Sequence, residues 1–457
     1  MENNTEENRN GLKPGLAYRI FRLYIKFFHN KIFYRHTYVV NKENVPEDGI
    51  PLLIVSNHQN CMNDPLCILH SLDRRKANFI ARADVFKNPI ANRFLRFIGL
   101  LPAFRLSYEG EDSLSKNDAT FEAAGQELMN GRSVIIYPEA GHQDKRWLGS
   151  FSLGYTKLAF EAAQRENFKK EIFILPSCNH YSSYFGMQQD ELVKYGTPIS
   201  LAPYYELFQT KPRTAQRQVN EKVREQTKEL MLNIEDLEHY EALDYLRNSY
   251  GVKFARENGF RPELLPEKLL ADKLFIEKMA QFKERNTELM SNICDKTLEM
   301  KAATLNANIR DWNFEKPFSF GRLLLQGILH ILTFPVFICT IFPNWVIYFA
   351  PKLITRKTSD RMFDNSINFG LSVLLTIPLL YPLSFILCWI ISGSLWMAVI
   401  YLLTLPLFGL FSFLYYKSFI KWKSEIRFRH RKDRESTKAL INLRRMIFSL
   451  LDKEMKK

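Results

Sequence analysis

Four short apolar runs, 52–55, 78–81, 133–137 and 172–175, punctuate the first half of the chain. Each has strand length and is bounded by turn-forming residues, so each predicts a buried β-strand. Between them, 65–71, 88–98, 119–130 and 154–165 place apolar residues at helical spacing. The alternation predicts an α/β domain over 38–205. Asn130-Gly131 stops a helix just before a strand, and Pro138, Pro176 and Pro198 turn the chain after strand-like runs.

The flanking segments read differently. Residues 1–37 begin polar and acidic, as a disordered start. Residues 16–34 then carry an aromatic surface interrupted by Arg19, Arg22, Lys26 and Lys31. That stretch is too charged to span a bilayer and suits an amphipathic helix lying in the interface, with rings among acyl chains and cations on lipid phosphates. A helix packed on the α/β core is the alternative. Residues 206–320 are a charged helical region: 214–250 and 266–309 are rich in Glu, Lys, Arg, Gln, Leu and Ala, broken by Gly251, Gly259 and Pro262. Two or three long helices are expected there, and His239 reads as an ordinary surface histidine.

Apolar residues then concentrate in 323–350 and 367–416, within a membrane region over 321–417. A span needs about 20 predominantly apolar residues. The second block divides at Ser392-Gly393-Ser394 into a two-span hairpin, whereas the first, with His330, Pro335, Pro343 and Asn344, reads as a re-entrant segment or one tilted span. Lys352, Arg356, Lys357 and Arg361 follow the first block, and a basic cytoplasmic tail over 418–457 follows the second. Both prefer the cytoplasm. With the α/β domain on the same face, an even number of crossings favours the re-entrant reading over three full spans.

Composition narrows the partners. The 457 residues include 36 Phe and carry a formal charge of +14, with pI near 9.3. Such a charge fits nucleic acid or an anionic membrane surface. Because it borders apolar segments, it points to membrane lipid and away from nucleic acid. The six cysteines form no Cys-x-x-Cys pair, so neither a disulfide framework nor a zinc site is expected. The amino terminus lacks the basic start and apolar core of a secretory signal, and an integral membrane protein with a cytoplasmic catalytic domain is expected.

Candidate chemistry lies just after the first strand-like run. Residues 56–65 read Ser-Asn-His-Gln-Asn-Cys-Met-Asn-Asp-Pro, which places His58 and Asp64 at the carboxyl end of a strand, where α/β sheets collect ligands. A carboxylate that orients an imidazole and stabilises its protonated form makes a general base able to take a proton from a hydroxyl.

Further blocks follow in order: Gly99-Leu100-Leu101-Pro102-Ala103-Phe104-Arg105, Val134 to Gly141 with Tyr137-Pro138-Glu139-Ala140-Gly141, then Ile172 to Pro176. Together with the His58 and Asp64 motif they resemble the PlsC-type glycerophospholipid acyltransferase superfamily over about residues 40–205. Five residues separate His58 from Asp64 where most members have four, as in a subset resembling fungal-type glycerol-3-phosphate acyltransferases. The third block departs from Phe-Pro-Glu-Gly-Thr-Arg at four positions, with His142 where the arginine stands. Lys145 and Arg146 are near enough in sequence to replace that charge.

The resemblance implies an α/β acyltransferase domain that moves a fatty acyl group from a thioester, acyl-CoA or acyl carrier protein, to a hydroxyl of glycerol 3-phosphate or 1-acylglycerol 3-phosphate. No cofactor beyond the thioester co-substrate and no metal is expected. His58 and Asp64 are the implied catalytic pair, and Arg105, Pro138, Glu139 and Gly141 the implied acceptor-binding residues. Arg105 suits the acceptor phosphate because its fork matches oxyanion geometry. Glu139 either hydrogen-bonds the glycerol hydroxyl or anchors its own loop. Cys61 reads as a turn filler, since direct attack by the acceptor needs no acyl-enzyme. A catalytically inactive membrane lipid-binding or scaffold protein with the same fold is the alternative.

Overall fold

The computed structural model describes residues 15–72, 77–103, 112–139, 145–315, 319–355, 363–432 and 434–456. The chain divides into two compact units, 1–233 with 359–366, and 234–358 with 367–457.

The first unit opens with helix α1 (Leu16–Phe27), a π-helical turn (Phe28–Phe33) and strand β1 (Tyr34–Val40). Then come β2 (Leu52–Ser56), α2 (Asn63–Ser71), β3 (Ala77–Arg82), α3 (Pro89–Phe97), β4 (Leu100–Ala103), α4 (Asp112–Met129) and β5 (Ser133–Ile136). They are followed by α5 (Gly154–Arg165), β6 (Phe173–Tyr181), β7 (Gln189–Tyr195), β8 (Ile199–Ser200), α6 (Tyr205–Thr210) and α7 (Pro212–Leu230). Among the described residues the strands form one sheet ordered β1-β7-β6-β2-β5-β3-β4, with β8 beside β6. β2 runs parallel to both β5 and β6. Among the described residues the β6 pairings with β7 and β8 are the antiparallel ones.

Alternation along β2 explains why its sequence is apolar throughout. Leu53 and Val55 join a core with α5 and α7, while Leu52 and Ile54 join a second core with Cys67, Ile68 and Leu69 of α2. A parallel strand covered on both faces has no polar side to show. The strands not foreseen, β1, β4, β7 and β8, are short or polar-rich, and β1 and β4 lie at the sheet edges, where one-sided burial leaves a weaker pattern.

Two sequence expectations change. The α/β unit extends to Asn233 rather than ending at 205, because Ala215, Val219, Val223 and Leu230 of α7 pack into the sheet core. The expected interfacial helix over 16–34 ends at Phe27, and Phe28, His29, Ile32 and Phe33 are buried. Arg22 and Lys26 donate to the carbonyls of Leu69 and His70 at 2.6 and 2.9 Å. There they satisfy the carboxyl terminus of α2, where cations are favoured. Leu16, Ile20, Leu23 and Phe27 remain exposed.

Gly131 closes α4 at φ +75°, and a Cβ there would stand 2.5 Å from the Gly49 carbonyl oxygen. Gly131→Ala is expected to destabilise the unit by at least about 1–2 kcal/mol from the left-handed backbone alone. Thermal unfolding in detergent checks this, and an unchanged midpoint would show that the β5 approach tolerates a methyl group.

The second unit begins with α8 (Tyr240–Glu257), α9 (Leu265–Arg285), α10 (Thr287–Asn306) and the short α11 (Trp312–Glu315). The apolar segment forms α12 (Phe320–Ile341), α13 (Trp345–Thr355), α14 (Asp364–Phe369), whose residues up to Ser366 belong to the first unit, a π-helical stretch (Gly370–Thr376), α15 (Ile377–Ser392) and α16 (Leu395–Arg431). Helix α17 (Glu435–Glu454) ends the chain. The basic tail expected over 418–457 is therefore structured: Leu440, Ile447 and Leu451 are buried, and α17 packs on α10.

Among the described residues three helical stretches are long and apolar enough to cross a membrane: Phe320–Ile341, Asp364–Ser392 and Leu395–Arg431. Pro335 lies inside α12 and does not reverse the chain. α12 runs antiparallel to α16, with Trp422 donating to the Leu323 carbonyl, Tyr415 to that of His330 and Ser412 to Thr340 Oγ1. At the top of α12 the Asn344 amide donates to the Leu405 carbonyl and accepts from Tyr381. The chain turns here, because Tyr348 of α13 stacks on Phe413, back along α16. Leu405 lies ten residues into α16, about 15 Å short of its tip at 1.5 Å per residue.

Candidate active site

β2 and β5 are parallel neighbours with Val55 opposite Ile136, so their carboxyl ends deliver His58 and Tyr137-Pro138-Glu139 to the same edge of the sheet. β6 continues beyond β2, which it matches as far as Ser56 and Ser177, and so carries Asn179 and Tyr181 past the strand end. Asn57 fixes this corner by donating to the Asn179 carbonyl and accepting from the Asn179 N–H at 3.1 and 2.8 Å.

The expected pair forms. His58 Nδ1 lies 2.8 Å from Asp64 Oδ2, and since a carboxylate only accepts, Nδ1 carries the proton. Asp64 is fully buried, while the His58 side chain is 19% exposed. The same Oδ2 accepts from the backbone N–H groups of Gln59 and Asn60 at 2.9 and 2.8 Å, and Oδ1 accepts from the Tyr181 hydroxyl at 2.8 Å. A buried carboxylate requires such compensation. Burial pushes the Tyr181 phenol well above its ordinary range, with the Asp64 charge adding to the effect, so Tyr181 stays a donor.

Glu139 braces the other side. Its Oε1 accepts from the His58 N–H at 3.0 Å and its Oε2 from the Gly149 N–H at 2.8 Å. Burial raises the Glu139 carboxyl above its usual value, against these two N–H groups, which lower it. Of the two roles open to Glu139, anchoring the loop is the one its contacts match. Pro138 accepts from the Ser152 N–H through its carbonyl. The Tyr137 ring stacks on His58 at 4.2 Å between centroids, which fixes the imidazole plane.

Arg105 and Gly141 lie outside the described residues, as does His142. β4 ends at Ala103, three strands from β2 in the sheet. Arg146 is buried, donating to the Tyr181 carbonyl at 2.9 Å and lying over the Tyr184 ring. Its charge therefore supports β6 from within the unit rather than facing solvent.

Sequence reasoning missed Tyr181, Asn57, Tyr184 and Ser366. Tyr184 donates to Gln59 Oε1, and Ser366 contacts the loop between His58 and Asp64. No local spacing signals them, because their partners are more than 100 residues away in sequence. Deeper in the unit, Glu191 is wholly buried, 3.4 Å from His29 Nδ1. Burial holds Glu191 well above the usual carboxylate range and pushes His29 down to about 4, so burial disfavours the charged form of each. In the second unit Asp236, Glu238 and His239 cluster with metal-ligand chemistry. Lys283 already occupies Asp236 Oδ2 at 2.7 Å.

Comparison with known proteins gives two similarities. Residues 36–179 match the family model described as Acyltransferase. A solved structure similar to this chain is the 1-acyl-sn-glycerophosphate (LPA) acyltransferase PlsC from Thermotoga maritima, at 20% identity and a TM-score of 0.34. The similarity covers 47% of this chain and 81% of that one. No curated protein matches the chain.

Proposed function

We propose that the first unit transfers a fatty acyl group from a thioester, acyl-CoA or acyl carrier protein, to a hydroxyl of glycerol 3-phosphate or 1-acylglycerol 3-phosphate. The observation that carries the reading is the His58 and Asp64 pair at the carboxyl end of β2, inside the segment that matches the Acyltransferase family model. With Nδ1 committed to Asp64, Nε2 is the nitrogen that takes the acceptor proton. The acceptor oxygen attacks the thioester carbonyl, a C–O bond forms and the C–S bond breaks. His58 then returns the proton to the departing thiolate. Asp64 stabilises the imidazolium in between, so no acyl-enzyme, metal or further cofactor is needed.

One assay tests this reading. Purified protein in detergent is given labelled acyl-CoA or labelled acyl-acyl carrier protein, with glycerol 3-phosphate, dihydroxyacetone phosphate or lysophosphatidate, each alone. Labelled ester with one of the glycerol acceptors supports it. No ester with any acceptor, from either thioester donor, favours the inactive lipid-binding alternative.

Arg105 is proposed to hold the acceptor phosphate. Arg105→Ala should raise the acceptor KM about ten- to a hundredfold, the range for losing a hydrogen bond to a charged group, with the donor KM unchanged. Equal weakening toward both substrates would assign Arg105 a structural role.

The membrane arrangement follows from the helical geometry. Because α12 turns back at Asn344 well short of the α15 and α16 tip, α12 and α13 are proposed to form a re-entrant segment, and 364–392 and 395–416 to cross. Single cysteines at Lys357 and Lys432, in a background without the native six, should be shielded from an impermeant thiol reagent outside intact cells, while one at Gly393 reacts. Labelling at Lys357 from outside would make α12 a full span.

A further inference from the structure

The loop between His58 and Asp64 must place one more residue than most members of the resembling superfamily, and its shape shows where. Gln59 and Asn60 point their N–H groups at Asp64. The chain then makes a turn closed by the Asn63 N–H on the Asn60 carbonyl at 2.9 Å, with Cys61 at φ +45°. A left-handed conformation is unfavourable for a residue with a Cβ and persists only where surroundings impose it. Side chains secure both flanks. Gln59 bonds Tyr184 and the Lys145 carbonyl, and Asn60 bonds the Tyr34 hydroxyl and Asn63. The tip is secured from elsewhere. Ser366 Oγ accepts from the Met62 N–H at 2.9 Å and donates to the Asn60 carbonyl at 3.2 Å.

One hydroxyl thus bridges the two peptide groups that flank the strained residue. Ser366 is buried, lies 306 positions from Asn60, and belongs to the same compact unit through the segment 359–366. Asn60 is the hinge of the arrangement, since its N–H is bound to Asp64 while its carbonyl is bound to Ser366 and Asn63. A shift at the tip therefore passes directly to a donor of the carboxylate that orients His58.

We propose that Ser366 is a positioning residue for catalysis, which clamps the left-handed turn at Cys61 and so holds Asp64 and His58 in register. This rests on the acyl-transfer reading for its kinetic consequence, but not for its structural one. The inference also gives the segment between the apolar blocks a role in the site, which neither its sequence nor the matched family segment contains.

Two readouts test it on the full-length protein in detergent. Amide-resolved hydrogen–deuterium exchange of Ser366→Ala should show faster exchange at Met62 and Asn63, with β2 and β6 unchanged. In the acyl-transfer assay the same variant should lose about ten- to a hundredfold in kcat, the scale of a small misplacement of a catalytic group, with both KM values within about twofold. Ser366→Thr, which keeps the hydroxyl, should restore most of the rate, and Ser366→Val should not. Unchanged exchange at Met62 in Ser366→Ala overturns the clamp whether or not the protein proves to be an acyltransferase. Faster exchange with wild-type kcat overturns the positioning role. A wild-type protein without acyl transfer would sink the functional reading alone and leave exchange to decide the clamp.

Discussion

His58→Ala is expected to lower acyl transfer by about a hundredfold to ten-thousandfold, the range for loss of a positioned general base, and to leave the protein folded. The imidazole is partly exposed and not part of either apolar core, and its contacts include the Asp64 carboxylate and the Tyr137 ring. Its backbone N–H still reaches Glu139 after the substitution, so the loop keeps that anchor. Initial rates with saturating donor and acceptor, beside an unfolding curve, separate lost chemistry from lost structure. A folded variant with near-normal turnover would falsify the general-base mechanism.

Asp64→Asn has the second large effect, and for a different reason. The carboxylate accepts from four donors: the His58 imidazole, two backbone N–H groups and the Tyr181 hydroxyl. An amide offers one oxygen and an NH2 group: at the Oδ2 position the NH2 would face three N–H donors, so the oxygen stays there and the NH2 turns the Tyr181 contact round, with the phenol accepting. The amide also cannot stabilise the imidazolium, and a change of this kind in a Ser-His-Asp triad lowers kcat about ten-thousandfold. A fall of at least about a thousandfold is expected here, together with a measurable loss of stability, unlike His58→Ala. Tyr181→Phe gives the internal comparison, because it removes one donor while leaving the charge. If Asp64→Asn were no worse than Tyr181→Phe, Asp64 would be serving the loop and not the base.

Much of this site was legible from residue order alone. The apolar run 52–55 announces a strand, and residues immediately after such a strand in an α/β sheet stand at its carboxyl edge. That suffices to bring His58 and Asp64 together, since the loop between them is short and closes on itself. The α5 helix over Gly154–Arg165 was equally plain, because its amphipathic period is unbroken. Less was legible where one residue type suits two environments. Arg22 and Lys26 on an aromatic helix fit lipid phosphates as well as helix-terminal carbonyls, and the carbonyls they reach belong to α2, which their own sequence does not name. Glu139 presented the same ambiguity until both of its oxygens were found on backbone N–H groups.

The sequence by itself determined the elements with strong periodicity, the chemistry available at the end of β2 and the presence of apolar segments long enough for a bilayer, because each depends on residues within one or two turns of each other. Tertiary structure decided which distant groups complete the site: Tyr181 on Asp64, Glu139 under His58 and Ser366 across the turn at Cys61. It also decided that α7 belongs to the sheet core and that the chain reverses at Asn344. The hydrogen bonds among these contacts join residues from 61 to 306 positions apart. Strand order and helix packing set such distances, and a hydrogen-bonding side chain carries no mark of the partner that the fold will bring to it.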